Sequence, residues 1–229
     1  MLEDRLMRIR LLLGEEKLKR LQDSCVLVIG CGAVGSYAIE ALARAGIGHL
    51  KLVDLDTVEV SNINRQLFAL TSTVGMKKVE VARQRIADIS KDIKVSIYDC
   101  FIDKTNATNV IENVDFVIDA IDSRDSKIAI YKACQEKSIP FISSMGAALR
   151  TDCSKIKIDK LSKTTVCPLA SNMRTLCKKN NIDMNFPVVY SIENALIGRA
   201  ENRQMGSLST ITGIFGLILA NYVINELIK

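Results

Sequence analysis

In the run VLVIGCGAVGSYAIEAL, residues 26–42, an apolar stretch breaks at Gly30, Gly32 and Gly35 and then continues as a helical pattern. Glycines at this spacing, after a strand and at the start of a helix, suit a turn that receives a phosphate. Gly32 lets the phosphate approach the backbone, and the helix N-terminus presents unpaired N–H groups and the positive end of its dipole. Asp54 closes the next apolar run, HLKLVD, about 20 residues beyond the turn, where a carboxylate accepts both ribose hydroxyls. Up to this point NAD and ATP are served equally well.

The next residues separate the two. LVDLDTVEVSNINRQ carries the acidic pair Asp54 and Asp56, then Asn62 and Arg65, and VGMKKVE places Lys77 and Lys78 in the first turn of a helix. Hydride transfer has no use for cations converging on a phosphate turn, whereas a triphosphate losing pyrophosphate needs its developing charge neutralised. A later strand ends in DAIDS, which puts Asp119 and Asp122 at the carboxyl edge of the sheet, where one of them would hold Mg2+. Taken singly, each of these charges is a solvated surface group, and an isolated Lys78 reads that way first. Their convergence on one crevice favours a site.

The elements that must position these residues follow from the pattern around them. Strand-like runs at 26–30, 49–54, 93–99, 115–120 and 140–144 alternate with helical stretches at 33–45, 74–89 and 125–137. That alternation predicts an α/β fold of Rossmann-like, doubly wound type, with a mainly parallel sheet and helices on both faces. Beyond Met145 come KIKID, a helix across PLASNMRTLCKKN, a strand at PVVYS and a long apolar helix, an extension that completes the core and caps the site. One domain over 1–229 is expected, with a helical arm at 1–24, a nucleotide-binding core at 25–145 and the extension at 146–229.

Composition narrows the class. Hydrophobic residues make up 48% of the 229-residue chain, enough for one substantial core, and its net charge of +5 fits RNA or another anionic partner without requiring one. Seven cysteines without a CxxC pair exclude a disulfide framework and a four-cysteine zinc site, and point to a reducing cytoplasm. The charged N-terminal stretch MLEDRLMRIRLLLG lacks the apolar core of an export signal. STITGIFGLILANYVINELI is broken by Thr212, Asn221 and Glu226, so it reads as a buried or dimer helix and not as a membrane span. His49, the one histidine, is expected to be structural.

RLMR, GCGAVGS, LVDLDTVEVSNINRQ, VGMKKVE and DAIDS, in this order and spacing, resemble the HesA, MoeB and ThiF adenylating enzymes, relatives of the ubiquitin-activating enzymes. The resemblance implies ATP and Mg2+ as cofactors and a catalytic set of Arg65, Lys78, Asp122 and Arg8. Asp54 would bind ribose, Arg65 and Lys78 the phosphates and Asp122 the metal, while Asp56 and Asn62 would line the pocket. Arg8 would reach into the ATP site of a partner subunit, which implies a homodimer. Within the family, GSYAIEALARAGIGHLKLVDLD, FVIDAIDSRDSKIAIYKACQEKSIPFISSMGAA and the PLA, VVYSIE and GSLS segments are similar to the tRNA threonylcarbamoyladenosine dehydratases. These adenylate the threonylcarbamoyl carboxylate on tRNA and close it into a ring with loss of AMP. Activators of a ubiquitin-like sulfur carrier ending in Gly-Gly are the alternative, with a cysteine-desulfurase partner in a sulfur relay as a further possibility. A non-catalytic nucleotide-binding or NAD-dependent protein is the third reading.

Cys167 in TTVCPLA stands where an acidic residue is expected, and it is the candidate for covalent catalysis that related activators use, although ring closure needs no thiol. Cys25, Cys100 and Cys134 are expected in the core, while oxidation of Cys31, inside the turn, would inhibit. For tRNA, Arg174, Lys178 and Lys179 are the favoured contacts, with Arg199 and Arg203 as further candidates. Lys155, Lys157 and Lys160 read instead as a charged sheet edge, and Lys163 is a further candidate contact. Without tryptophan, recognition would rest on shape and phosphates.

Overall fold

A computed structural model of the chain describes residues 4–196 and 205–229. Two short helices, α1 (Met7–Leu13) and α2 (Glu15–Asp23), lead into strand β1 (Cys25–Ile29) and helix α3 (Gly35–Ala45). Then follow β2 (His49–Val53), α4 (Lys78–Ile89), β3 (Lys94–Tyr98), α5 (Ala107–Val110), β4 (Phe116–Asp119), α6 (Arg124–Glu136) and β5 (Phe141–Ser144). The extension adds β6 (Ile156–Lys160), α7 (Pro168–Lys179), β7 (Pro187–Ser191) and α8 (Ser209–Leu227). Each expected strand is present, trimmed by a residue or two. α4 starts at Lys78 and not at 74, because Thr71–Thr73 form a 3-10 turn and Gly75 takes a left-handed φ of 87°.

The seven strands lie in the order β3-β2-β1-β4-β5-β7-β6, with every pairing parallel except β6 on β7. The expected doubly wound sheet is therefore what forms, and its order reverses between β1 and β4. β1 alternates its side chains between two cores: Val26 and Val28 pack with Leu50, Leu42 and Phe215 on one face, and Leu27 and Ile29 with Val117, Ile130 and Met173 on the other. Both faces being covered is why the strands read as continuous apolar runs.

α8 is, among the described residues, the helix long and apolar enough to cross a bilayer. Here it packs along α3, burying Ile211, Phe215, Leu219 and Val223, and Gly216 lies so close to that helix that a Cβ would overlap the Val34 carbonyl oxygen. β6 closes one edge of the sheet with Lys157 and Lys160 exposed, in keeping with an edge that resists strand addition. Arg174 is half-buried and donates from Nη1 to the Thr164 carbonyl at 2.9 Å, whereas Lys178 and Lys179 are exposed at the end of α7. Arg199 and Arg203 lie outside the described residues.

A polar cluster joins β4, α6 and β5 inside the second core. The Lys127 ammonium, fully buried, donates to the Asp119 carboxylate at 2.8 Å and to the Ser144 carbonyl at 2.8 Å. Ser143 Oγ donates to the same carboxylate at 2.6 Å and lies 2.6 Å from the Tyr131 hydroxyl. Burial, then the Asp119 charge, push the Tyr131 phenol well above its ordinary range, so it remains a neutral hydroxyl. Removing one member of a buried ion pair strands the other charge. Lys127→Met should lower the unfolding free energy by about 3–5 kcal/mol, and adding Asp119→Asn should recover part of that loss; guanidinium unfolding curves of the two variants measure both.

Candidate active site

A cavity of about 1080 Å³ opens where the strand order reverses, over the carboxyl ends of β1 and β4. This is the place where open α/β sheets bind ligands, because the two connections leave it in opposite directions. The three glycines of the turn sit there for different reasons. Gly30 has a φ of 98°, and a Cβ on it would lie 2.8 Å from the Ala120 carbonyl oxygen. A Cβ on Gly35 would overlap the Gly30 carbonyl oxygen, so these two are required by the fold. A Cβ on Gly32 would meet nothing closer than Gln66 Nε2 at 3.7 Å, and Gly32 lines the cavity. Its missing side chain leaves free a backbone that faces ligand space.

Asp54 is fixed at the end of β2 by two amides: Cys31 N–H donates to one carboxylate oxygen at 2.7 Å and Asp56 N–H to the other at 2.9 Å. Burial raises its carboxyl above the ordinary value, while these amides pull it down. Lys78 is only 6% exposed, and its ammonium reaches the exposed Asp56 carboxylate at 2.7 Å. It is therefore not the solvated residue that it reads as in isolation; burial and a single partner aim its charge at the cavity wall. Arg65, half-exposed, is steadied by the Ser61 carbonyl at 2.7 Å and the Asn64 side-chain oxygen at 2.8 Å. Asn62 is buried, accepting from Glu59 N–H at 3.3 Å, and lines the same cavity as Arg65, Lys78, Asp54 and Asp56.

The two acids of DAIDS part ways. Asp119 is committed to Lys127 and faces the core, whereas Asp122 is exposed on the cavity wall just before α6. Among the described residues no three ligating side chains cluster. Lys77 is the residue before α4 and turns away, donating to Asp99 at 3.0 Å and to the Leu55 carbonyl at 2.9 Å. Arg8 is exposed on α1 and does not line the cavity of its own chain. His49 lies outside the cavity, bound to Ser96 Oγ at 2.9 Å and Cys25 Sγ at 3.3 Å.

The cysteines divide differently from the expectation. Cys134 is buried, its thiol pushed up to about 12 by burial, as a core residue should be. Cys100 is half-buried just past β3 and lines the cavity, so it is not a core residue, because the chain turns outward there. Cys31 is 1% exposed, and burial followed by the Asp54 charge pushes its thiol well up, which opposes the expected oxidation. Cys167 is 2% exposed at the N-terminus of α7 and lines the cavity.

Sequence reasoning missed Gln66 and the segment from Ser144 to Arg150, which forms the far wall. The only signal for that wall was SSMGAALR, small residues directly after a strand; the rest depends on how β5 abuts β4. The glycines supply a test. Gly35→Ala should leave little folded protein, whereas Gly32→Ala should change stability by no more than about 0.5 kcal/mol yet remove any upward shift that ATP confers on the melting temperature, as read by thermal denaturation with and without the nucleotide.

The ThiF family model matches residues 3–229. A tRNA threonylcarbamoyladenosine dehydratase of Bacillus subtilis (strain 168) is 38% identical over 97% of this chain and 94% of its own length. One of Haemophilus influenzae is 36% identical over 93% and 89%. Among solved structures, E. coli tRNA N6-threonylcarbamoyladenosine dehydratase, TcdA, in complex with AMP superposes with a TM-score of 0.93 at 32% identity, covering 97% of this chain and 93% of that one, and its complex with ATP gives 0.92. With a site at the sheet's switch point and relatives matching nearly end to end, this chain belongs to the ThiF family, on the branch of the tRNA threonylcarbamoyladenosine dehydratases.

Proposed function

We propose that the protein adenylates the carboxylate of a threonylcarbamoyl group on tRNA with ATP and then closes that group into a ring. The observation that carries this reading is that one cavity at the switch point is lined by a glycine turn, the buried Lys78 and Asp122, an aspartate that has no side-chain partner among the described residues. The carboxylate oxygen attacks the α-phosphorus, the bond to the β-phosphate breaks and pyrophosphate leaves. A nucleophilic atom of the same threonylcarbamoyl group then attacks the activated carbonyl carbon; AMP departs with the bonding pair, a proton is lost, and the nucleoside is lighter by one water. Holding nucleophile and electrophile in one group replaces a bimolecular encounter with an intramolecular one.

In this reading Asp54, oriented by the Cys31 and Asp56 amides, accepts the ribose hydroxyls. The backbone at Gly30 and Gly32 receives the phosphates at the start of α3, while Gly35, buried and off the cavity lining, holds the turn closed. Lys78, already desolvated beside Asp56, and Arg65 take up charge that develops on the departing pyrophosphate, and Asn62 completes the wall. Asp122 would hold Mg2+, one carboxylate beside phosphates and waters being a donor set that this ion accepts, and the ion would supply charge neutralisation for the phosphates. Arg8 serves the site of a partner subunit in a cytoplasmic homodimer, and the exposed Lys178 and Lys179 meet tRNA phosphate.

Incubation with ATP, Mg2+ and tRNA carrying the threonylcarbamoyl group should release AMP and yield the dehydrated nucleoside by mass spectrometry; intact nucleoside with folded protein would refute the substrate, and pyrophosphate exchange dependent on a Gly-Gly carrier would move the assignment to carrier activation. Asp122→Ala should reduce AMP formation by about 10²–10³-fold without altering the melting temperature. Cys167→Ala should retain turnover, since no covalent thiol intermediate is needed, and loss of activity in that variant would restore the thiol to the chemistry.

A further inference from the structure

Arg150 carries a charge that no carboxylate among the described residues answers. It is 3% exposed and lines the cavity, yet among the described residues it forms no ion pair. Its Nε is the one buried side-chain nitrogen or oxygen left without a hydrogen-bond partner among the described residues, and its Nη1 reaches only the carbonyl of Leu149, at 3.2 Å. A desolvated guanidinium in this condition is costly unless an anion completes it, and it cannot shed its proton as a lysine does.

The surrounding backbone holds this arrangement in place. Leu149 sits at a φ of 60°, a conformation that side chains with a Cβ seldom adopt, and it is pinned on both sides: its N–H donates to the Gly206 carbonyl at 2.9 Å, and its carbonyl accepts from Leu196 N–H at 3.0 Å. The buried Glu193 accepts from the Thr151 amide at 3.1 Å and the Asp152 amide at 3.0 Å, and does not pair with Arg150. These amides, Asp152 first, hold its carboxyl below the ordinary range, so it remains an anion committed elsewhere.

We propose that Arg150 binds the carboxylate of the acyl substrate and presents it to the α-phosphorus of the nucleotide. The proposal rests on the adenylation reading given above. The phosphate-binding features belong to the connections after β1 and β2, whereas Arg150 follows β5, on the other side of β4, in a cavity that the apolar Met145, Leu169 and Leu196 also line. At about 1080 Å³ the cavity exceeds the range of about 300–1,000 Å³ usual for one small ligand, leaving room for a second reactant beside the nucleotide. That reactant carries a planar carboxylate, which a guanidinium fork matches in two parallel bonds. Its approach to a polyanionic triphosphate requires a cation of its own, since Lys78 and Arg65 stand on the phosphate side.

Full-length Arg150→Gln and Arg150→Lys, assayed for AMP release with ATP and threonylcarbamoyl-bearing tRNA each varied, test the assignment. Arg150→Gln should raise KM for the tRNA by about 10- to 100-fold, leave the ATP dissociation constant within about twofold, and keep or raise the melting temperature; Arg150→Lys should recover part of the loss. As competitors, the free nucleoside acid should outcompete its carboxamide with the parent protein and lose that advantage with Arg150→Gln. Unchanged KM in an active variant, an equal loss of ATP affinity, or unfolding of both variants each overturns the assignment. A parent protein that releases no AMP from this tRNA overturns the adenylation reading first, and this one with it.

Discussion

The buried contact between Asp119 and Lys127 sets the geometry of everything above the sheet. It sits where β4 ends, draws the first turn of α6 down onto the strand, and through the Ser143 hydroxyl and Ser144 carbonyl ties in the end of β5. Two charges taken out of water tolerate little displacement, because each loses its counter-charge if the other moves. Asp122 leaves the sheet directly above this pair, and the far wall of the cavity begins at Ser144. One interaction therefore fixes both the place of an exposed carboxylate and the spacing between the two sides of the site.

Around that frame, charge is handled in opposite ways on the two sides of the cavity. On the nucleotide side, Asp54 is held by amides and Lys78 by Asp56, so orientation is provided before any ligand arrives and little reorganisation remains at the moment of reaction. On the β5 side, Arg150 is desolvated without an answering carboxylate among the described residues. The first arrangement stabilises the fold and the site together; the second sacrifices stability at a place where recognition gains from it.

The parallel core, the glycine turn and the acidic ends of β2 and β4 were legible because their cause is local. A strand buried on both faces must be apolar throughout, and a helix starting one residue after a tight turn must have glycines where its backbone crosses another carbonyl, as Gly30 and Gly35 do. Where the outcome depended on a neighbour distant in the chain, the reading lost resolution. Asp119 and Asp122 were equal candidates by residue type and position, and the family resemblance alone singled out Asp122, until Lys127 and Ser143 claimed Asp119. Lys77 and Lys78 were a pair until Asp99 drew one away and Asp56 the other. Cys100 looked like core because its strand does, but the chain has already left the sheet at that point.

By itself the sequence determined the fold class, the strand order's raw material and the family, since apolar periodicity, glycine spacing and motif order survive without coordinates. Only the tertiary structure decided which charges are paired, which face the cavity and which, like Arg150, are buried with no ion-pair partner among the described residues. The physical reason is that periodicity is a property of neighbours along the chain, whereas the dielectric surroundings and counter-charges of a side chain come from segments that meet only when the sheet assembles.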